Sequence, residues 1–323
     1  MGIEKIPNPN GDKLRDSVSK KFLGSVGNGK ENKTPLPSRV PQNPNVTKSV
    51  IDSNINSQHE KFSTLSSEPT SIGDKEIALR NEIFRVTVGS ELTGLNLPGR
   101  GDHDEMGIYI ETPQQVLALA PTSEHYISRS VAPGEKSKVG DTDLTIYSLR
   151  KYMTLAMAGN PTVVTILFAP KDLTLISSNF SEELLALTPS IISKRSGWKH
   201  LGYLDGQRKR MINKEGLSPV EATDEYGYNF KYASHALRLG LQGVELMTTG
   251  SLTLPLSEDS RKRCLNIKIG KLTFNEAVSE IDESREELFS LMERGTVKLP
   301  DEPDYDLINS WMVSVQLRHW GLS

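Results

Sequence analysis

Two short clusters of residues in one stretch have the types and spacing that chemistry at phosphorus needs. Gly89 and Ser90 close an apolar run, and Asp102-His103-Asp104 opens the next one. Alternate residues of a strand point to one face, so Asp102 and Asp104 are expected side by side. Two close carboxylates repel each other. A hard divalent cation such as Mg²⁺, or Mn²⁺, takes oxygen ligands and removes that cost. A pair of such ions can activate an attacking hydroxyl and stabilise the leaving oxygen of a phosphate displacement. Gly89 lets the backbone approach a phosphate, whose oxygens exposed N–H groups bind, and Ser90 adds a hydroxyl donor. Taken singly, each part is common. Gly-Ser after a strand is often a plain turn, and Asp-x-Asp is often a solvated pair. Their order and spacing raise the signal above either alone.

A second constellation lies far along the chain. Lys231, His235 and Arg238 are spaced i, i+4, i+7 and share one helix face. Cations there can hold a triphosphate or a nucleic-acid backbone, although a solvated charged face has the same pattern. The stretch from Lys194 to Lys214 is basic, with Trp198 and Tyr203 interleaved. Such aromatics either stack on bases or sit in the core while the charges are solvated. Arg129, expected in the loop after Tyr126, is a further candidate phosphate ligand. His59, His125 and His319 have no partners at metal-ligand spacing.

The elements that must position these groups are readable in outline. A helix from Lys75 to Ile83 leads into a strand, Phe84 to Val88, ended by Gly89 and Ser90. Further strands are expected at Met106 to Glu111 and Asp143 to Tyr147. Leu149 to Ala158 has helical apolar spacing and stops at Gly159-Asn160-Pro161. Thr162 to Phe168 is a second apolar run, helix or strand. Beyond it, helices are expected at Ser181 to Leu187, Tyr228 to Leu241 and Thr273 to Arg294, the last opened by a capping box of Thr273 and Glu276. The fold class is therefore α+β, a small mixed-sheet core over residues 76–170 followed by a mainly helical region over 171–323.

Residues 1–75 differ in kind. They are rich in Asn, Ser, Lys and Pro, with Phe22 and Phe62 as their aromatics. Such a segment buries too little apolar surface to offset its chain entropy and reads as a disordered N-terminal tail. It also explains the low hydrophobic fraction of the whole, 36%. A net charge of −3 gives no global pull toward polyanions. The single cysteine, Cys264, excludes an internal disulfide and a cysteine-built metal site. The N-terminus lacks the apolar region of a secretory signal, and no apolar run is long enough to span a membrane. A cytoplasmic location is the expectation.

The order of Gly-Ser, a Gly-rich connection and Asp-x-Asp, framed by strands, resembles the DNA polymerase beta-like nucleotidyltransferase superfamily. The likeness is closer to a branch of predicted nucleotidyltransferases of actinobacterial phages and bacteria, related to the RNA-repair-associated polymerase beta-like family. The matching runs are Asp102, Asp104, Met106 and Gly107, then Asp143 to Lys151, Ala158 to Thr162, Gly202-Tyr203 with Gln207 and Arg210, Lys231 to Gly240, and Thr249-Gly250. The resemblance implies a metal-dependent enzyme that transfers a nucleoside monophosphate from a nucleoside triphosphate to an acceptor hydroxyl, releasing pyrophosphate. It makes Asp102 and Asp104 the first two ligands of Mg²⁺ or Mn²⁺, with Asp143 as the third carboxylate and Asp141 as its rival. Gly89, Ser90, Lys231, His235 and Arg238 would bind the nucleotide. A phage-encoded relative would work in the host cytoplasm. RNA is the favoured acceptor, through the family's link to RNA repair and the basic 194–214 stretch, with small molecules and protein side chains open. A nucleotide- or RNA-binding module with little turnover and a metal-dependent phosphoesterase are the alternatives. Thr93 stands where many relatives carry an aromatic or His, and Gly101 where some carry Ser or Asp.

Overall fold

The computed structural model describes residues 70–99, 103–119, 122–130, 140–213, 217–223 and 225–322. The reading of residues 1–75 as a tail falls almost wholly outside these, as do Gly101 and Asp102. The elements run β1 (Thr70–Ile72), α1 (Lys75–Arg80), β2 (Glu82–Thr87), α2 (Gly89–Thr93), β3 (His103–Tyr109), α3 (Pro113–Leu117), β4 (His125–Arg129), β5 (Thr142–Ser148), α4 (Leu149–Met157), α5 (Pro161–Val164), β6 (Thr174–Ile176), α6 (Asn179–Ala186), α7 (Thr188–Ile191), α8 (Lys194–Met211), α9 (Phe230–Thr249), α10 (Glu258–Lys268), α11 (Phe274–Glu293) and α12 (Tyr305–His319). The class is α+β, as the sequence predicts, with a mixed sheet and a helical C-terminal half.

The sheet has the order β1-β4-β5-β3-β2-β6. β3 and β5 pair in parallel, and the other pairings are antiparallel. The three strands expected from sequence are its central trio, β2, β3 and β5. β6, drawn from beyond residue 170, closes one edge by pairing with β2.

Strand alternation sends Phe84, Val86, Met106, Ile108 and Ile110 into the main core, which they share with Tyr152, Met153, Val164, Ile166 and Leu246. Each such fully buried aliphatic side chain contributes roughly 1.5–3 kcal/mol. The opposite face carries Tyr109, Tyr126 and Ile146 over Ala78 of α1. The apolar run from Thr162 to Phe168 is helical, α5 followed by a 3₁₀ turn at Thr165–Phe168. Asn160 caps it and Pro161 starts it, so start chemistry outweighs the β-branched composition.

Three of the long helices in the C-terminal half are packed tightly. A Cβ on Gly240 of α9 would lie 2.3 Å from Ser284 Oγ of α11, and one on Gly243 would lie 2.4 Å from Leu288 Cδ2 and 3.0 Å from His200 Cβ of α8. The last helix folds back on the sheet. Trp320 Nε1 donates to the Glu111 carbonyl at 2.8 Å, just past the end of β3. Glu111 is buried, and its carboxylate accepts from the Arg150 amide at 3.0 Å. Among the described residues, no helix is long and apolar enough to cross a membrane.

Candidate active site

The β2–α2 turn is laid directly over the start of β3. The Val88 amide donates to the Asp104 carbonyl at 2.8 Å. Gly89 follows with φ +66°, a left-handed conformation that favours glycine. A Cβ there would fall 2.3 Å from Asp104 Oδ2. Glycine therefore does two things at this position: it takes the turn and makes room for the carboxylate. α2 ends at Gly94, φ +71°, and the Leu256 amide donates to the Thr93 carbonyl at 3.2 Å, which ties the turn to the helical half.

The parallel register sets Asp104 opposite Asp143, so two strands distant in sequence present their carboxylates on one sheet face. Arg129 of β4 is opposite Asp143 in turn, with its Nε 3.7 Å from Asp143 Oδ2. The other oxygen, Asp143 Oδ1, is buried without a hydrogen-bond partner. Asp141 takes part differently. Its Oδ1 accepts from Ser130 Oγ at 3.2 Å, and it does not line the cleft that the others share.

That cleft holds about 820 Å³. Its floor is one face of the sheet, with Asp104, Met106, Asp143, Thr145, Tyr147, Ile127 and Arg129. Gly89, Ser90 and Thr93 form one wall, and Lys231, Ser234, His235 and Arg238 of α9 form another. The cleft thus brings together Gly89, Ser90, Asp104, Asp143, Lys231, His235 and Arg238, while Asp141 stays outside it. Arg129 lies in strand β4, not in a loop as expected from sequence. Its five-residue strand, HYISR, lacks a clear alternation of apolar and polar residues.

The α9 wall is electropositive in a particular way. Burial, with the charges of Arg238, Lys231 and Lys268 around it, pushes the His235 imidazole down to about 3. His235 is therefore neutral near pH 7, not one of the cations the spacing suggested. Burial also pushes the Arg238 guanidinium down from its usual value, and its Nη1 donates to Gln242 at 2.7 Å. Lys268 of α10 lines the cleft as well and donates to the Leu95 carbonyl at 2.5 Å.

A family model described as the RNA repair pathway DNA polymerase beta family matches residues 56–314. The chain belongs to that family. Membership supports an enzyme with a nucleotidyltransferase kind of function. Among solved structures, a nucleotidyltransferase-like protein from Exiguobacterium sibiricum 255-15 aligns with 84% of this chain and 87% of its own at 10% identity, with a TM-score of 0.28. A search of curated proteins finds no match.

Within this family member, Thr93 has a structural task. Its hydroxyl donates to the Gly89 and Ser90 carbonyls at 3.0 and 3.3 Å, bracing the turn from inside. His103, between the two aspartates of the motif, lies on the other strand face. Its ring nitrogens meet Glu91 at 3.2 Å and Glu105 at 3.1 Å. The hydrogen bond to Glu91 is the main cause that raises its affinity for a proton. Glu105 also accepts from Arg85 at 3.0 Å, which ties β3 to β2 through their side chains. Sequence reasoning misses Lys268 altogether. The lysine lies far from the motif in sequence, and α10 is a polar helix with few buried positions.

Among the described residues no three His, Cys, Asp or Glu side chains gather as a metal-ligand cluster. The donor set that is present still fits a hard cation. Asp104 and Asp143 offer oxygen ligands on one face, and the partnerless Asp143 Oδ1 is a buried acceptor that a cation would satisfy.

Proposed function

We propose that this chain transfers a nucleoside monophosphate from a nucleoside triphosphate to an acceptor hydroxyl, with RNA as the acceptor, releasing pyrophosphate. The observation that carries the reading is the fit of Gly89 beneath Asp104, on the cleft where Asp143 stands in register with it. In this reading Asp102, Asp104 and Asp143 hold Mg²⁺ or Mn²⁺. Such ions, when bound, neutralise charge on the reacting phosphate and its attacking and leaving oxygens.

The chain's own residues supply the rest. The first amides of α2, at Gly89 and Ser90, have no partner within their helix and face triphosphate oxygens. Lys231 and Arg238 hold the outgoing pyrophosphate across the cleft, and His235 completes that wall. The acceptor hydroxyl is positioned for in-line attack at the α-phosphorus. Catalysis of this type is mainly positioning and charge neutralisation, with little need for a protein nucleophile. Residues 76–170 then provide the carboxylates, and residues 171–323 provide the cations.

The test is pyrophosphate release from α-labelled triphosphates with Mg²⁺ or Mn²⁺. Asp102→Ala with Asp104→Ala, and Asp143→Ala alone, are expected to abolish release while keeping the far-ultraviolet circular dichroism of the parent. Asp141→Ala is expected to retain it. A purified chain that neither binds nor consumes any triphosphate sinks the proposal, and release of orthophosphate in place of pyrophosphate points to hydrolysis.

A further inference from the structure

The exposed side of α8 carries a pattern that its own packing does not use. Arg195, Trp198, Lys199, Gly202, Tyr203, Gly206, Lys209 and Arg210 are all solvent-facing, while Leu201 and Leu204 turn into the core. Trp198 is 47% and Tyr203 39% exposed, and Trp198 has Phe289 against it at 6.3 Å between centroids. With Ala158, Arg195, Lys199 and Gly202 they line a groove of about 710 Å³.

The cations of this helix fall into two groups. Lys194, Arg195 and Arg208 are paired with Asp301, Glu302 and Asp282. Lys199, Lys209 and Arg210 have no ion-pair partner among the described residues. In a chain of net charge −3, that is a local concentration of free positive charge beside two exposed rings.

The glycines separate in the same way. A Cβ on Gly197 would lie 2.4 Å from Met292 Sδ, so packing requires that glycine. A Cβ on Gly202 or Gly206 would meet nothing within 4 Å. Each costs the helix roughly 1 kcal/mol relative to alanine. The fold gains no contact from them, but they leave the helix backbone open between the rings and the free cations.

The groove adjoins the cleft. Ala158 lines the groove and Thr162 lines the cleft. The turn between them is pressed on α8, because a Cβ on Gly159 would lie 2.6 Å from Ser196 Cα.

We propose that this face of α8 binds a single-stranded polynucleotide, with bases stacked on Trp198 and Tyr203 and phosphates held by Lys199, Lys209 and Arg210. The inference deepens the transfer reading, on which it rests for the purpose of the strand. The groove would hold an acceptor strand and deliver its end to the cleft. A protein partner fits less well. From Arg195 to Arg210 the face exposes no Leu, Ile, Val or Met, and free lysines are depleted from protein interfaces. Stacking rings among cations suit single strands.

The test is fluorescence-anisotropy titration of the full chain with a short labelled oligo(U), its oligo(dT) counterpart and a duplex. The wild type is expected to bind a single strand more tightly than the duplex. A preference for oligo(U) over oligo(dT) identifies RNA, and equal binding identifies a strand read without its sugar. Trp198→Ala with Tyr203→Ala should weaken single-strand binding by about tenfold or more, with triphosphate binding unchanged. Lys199→Glu, Lys209→Glu and Arg210→Glu together should flatten the salt dependence. Gly202→Ala with Gly206→Ala should raise the Tm yet weaken the oligonucleotide, a pairing that a purely structural helix does not give. The proposal is overturned if the wild type binds no single strand at low salt, if these variants bind like the wild type, or if they instead abolish self-association of the chain. Asp104→Asn should lose transfer and keep oligonucleotide binding. Absent triphosphate chemistry with groove-dependent strand binding would fell the transfer reading and leave this surface standing.

Discussion

The decisive residue is Gly89, because one substitution there tests two constraints at once. An added methyl group meets a φ of +66° and the Asp104 carboxylate at 2.3 Å. The backbone strain alone costs about 1–2 kcal/mol, and the carboxylate must move. Gly89→Ala is therefore expected to slow transfer by about a hundredfold, since small misplacements at a reacting centre are costly. The Tm should drop by several degrees, about what 1–2 kcal/mol gives in a domain of this size. Pyrophosphate release measured beside a thermal melt separates the two. Asp104 was legible in the sequence because its type and spacing announce it, as were Gly89, Ser90 and Lys231. Asp143 could be drawn from the family pattern, but that it lines the cleft while Asp141 does not depends on the packing around the sheet, which one sequence does not state. Lys268 had no signal, because its place at the cleft depends on how α10 docks.

At the scale of elements, α9 matters most. Its cleft-facing side carries Lys231, His235 and Arg238, and its other sides carry glycines where neighbouring helices approach. Gly243→Ala puts a methyl group 2.4 Å from Leu288 Cδ2 and 3.0 Å from His200 Cβ. Overpacking of this kind costs roughly 1–3 kcal/mol, which overrides the gain in helix propensity. Urea denaturation should show a lower midpoint with an unchanged slope. The long helices with caps were readable, as Thr273 and Glu276 show by forming the predicted capping box. The run of strands was read only in part. β4 and β6 are short and poorly patterned, and their pairing with β5 and β2 comes from the sheet itself. The helix of Lys194–Met211 was read for its charges, and the exposure of Trp198 and Tyr203 became clear only with its packing.

For the molecule as a whole, acid is the condition to vary. His200 is fully buried and hydrogen-bonded to the Ser196 carbonyl at 2.7 Å, and burial pushes it down to about 4. His235 is pushed down too, to about 3. The unfolded chain, with imidazoles near 6.5, binds more protons than the fold does once the pH is below that value. Their contribution is therefore complete above about pH 6.5 and is lost progressively as the pH falls, toward 4 for His200 and toward 3 for His235. For His200 alone the loss is roughly 3 kcal/mol, at about 1.4 kcal/mol per tenfold change in proton affinity. Chemical denaturation across that range should show stability falling with acid, and His200→Gln should flatten the slope. Another consequence follows from the way α12 returns to the sheet. Trp320 seals the far end of β3, the strand whose near end holds Asp104. On the ribosome, the sheet is synthesised long before the residue that clasps it. The Trp320 contact with Glu111 therefore forms only after the strands it meets have been made.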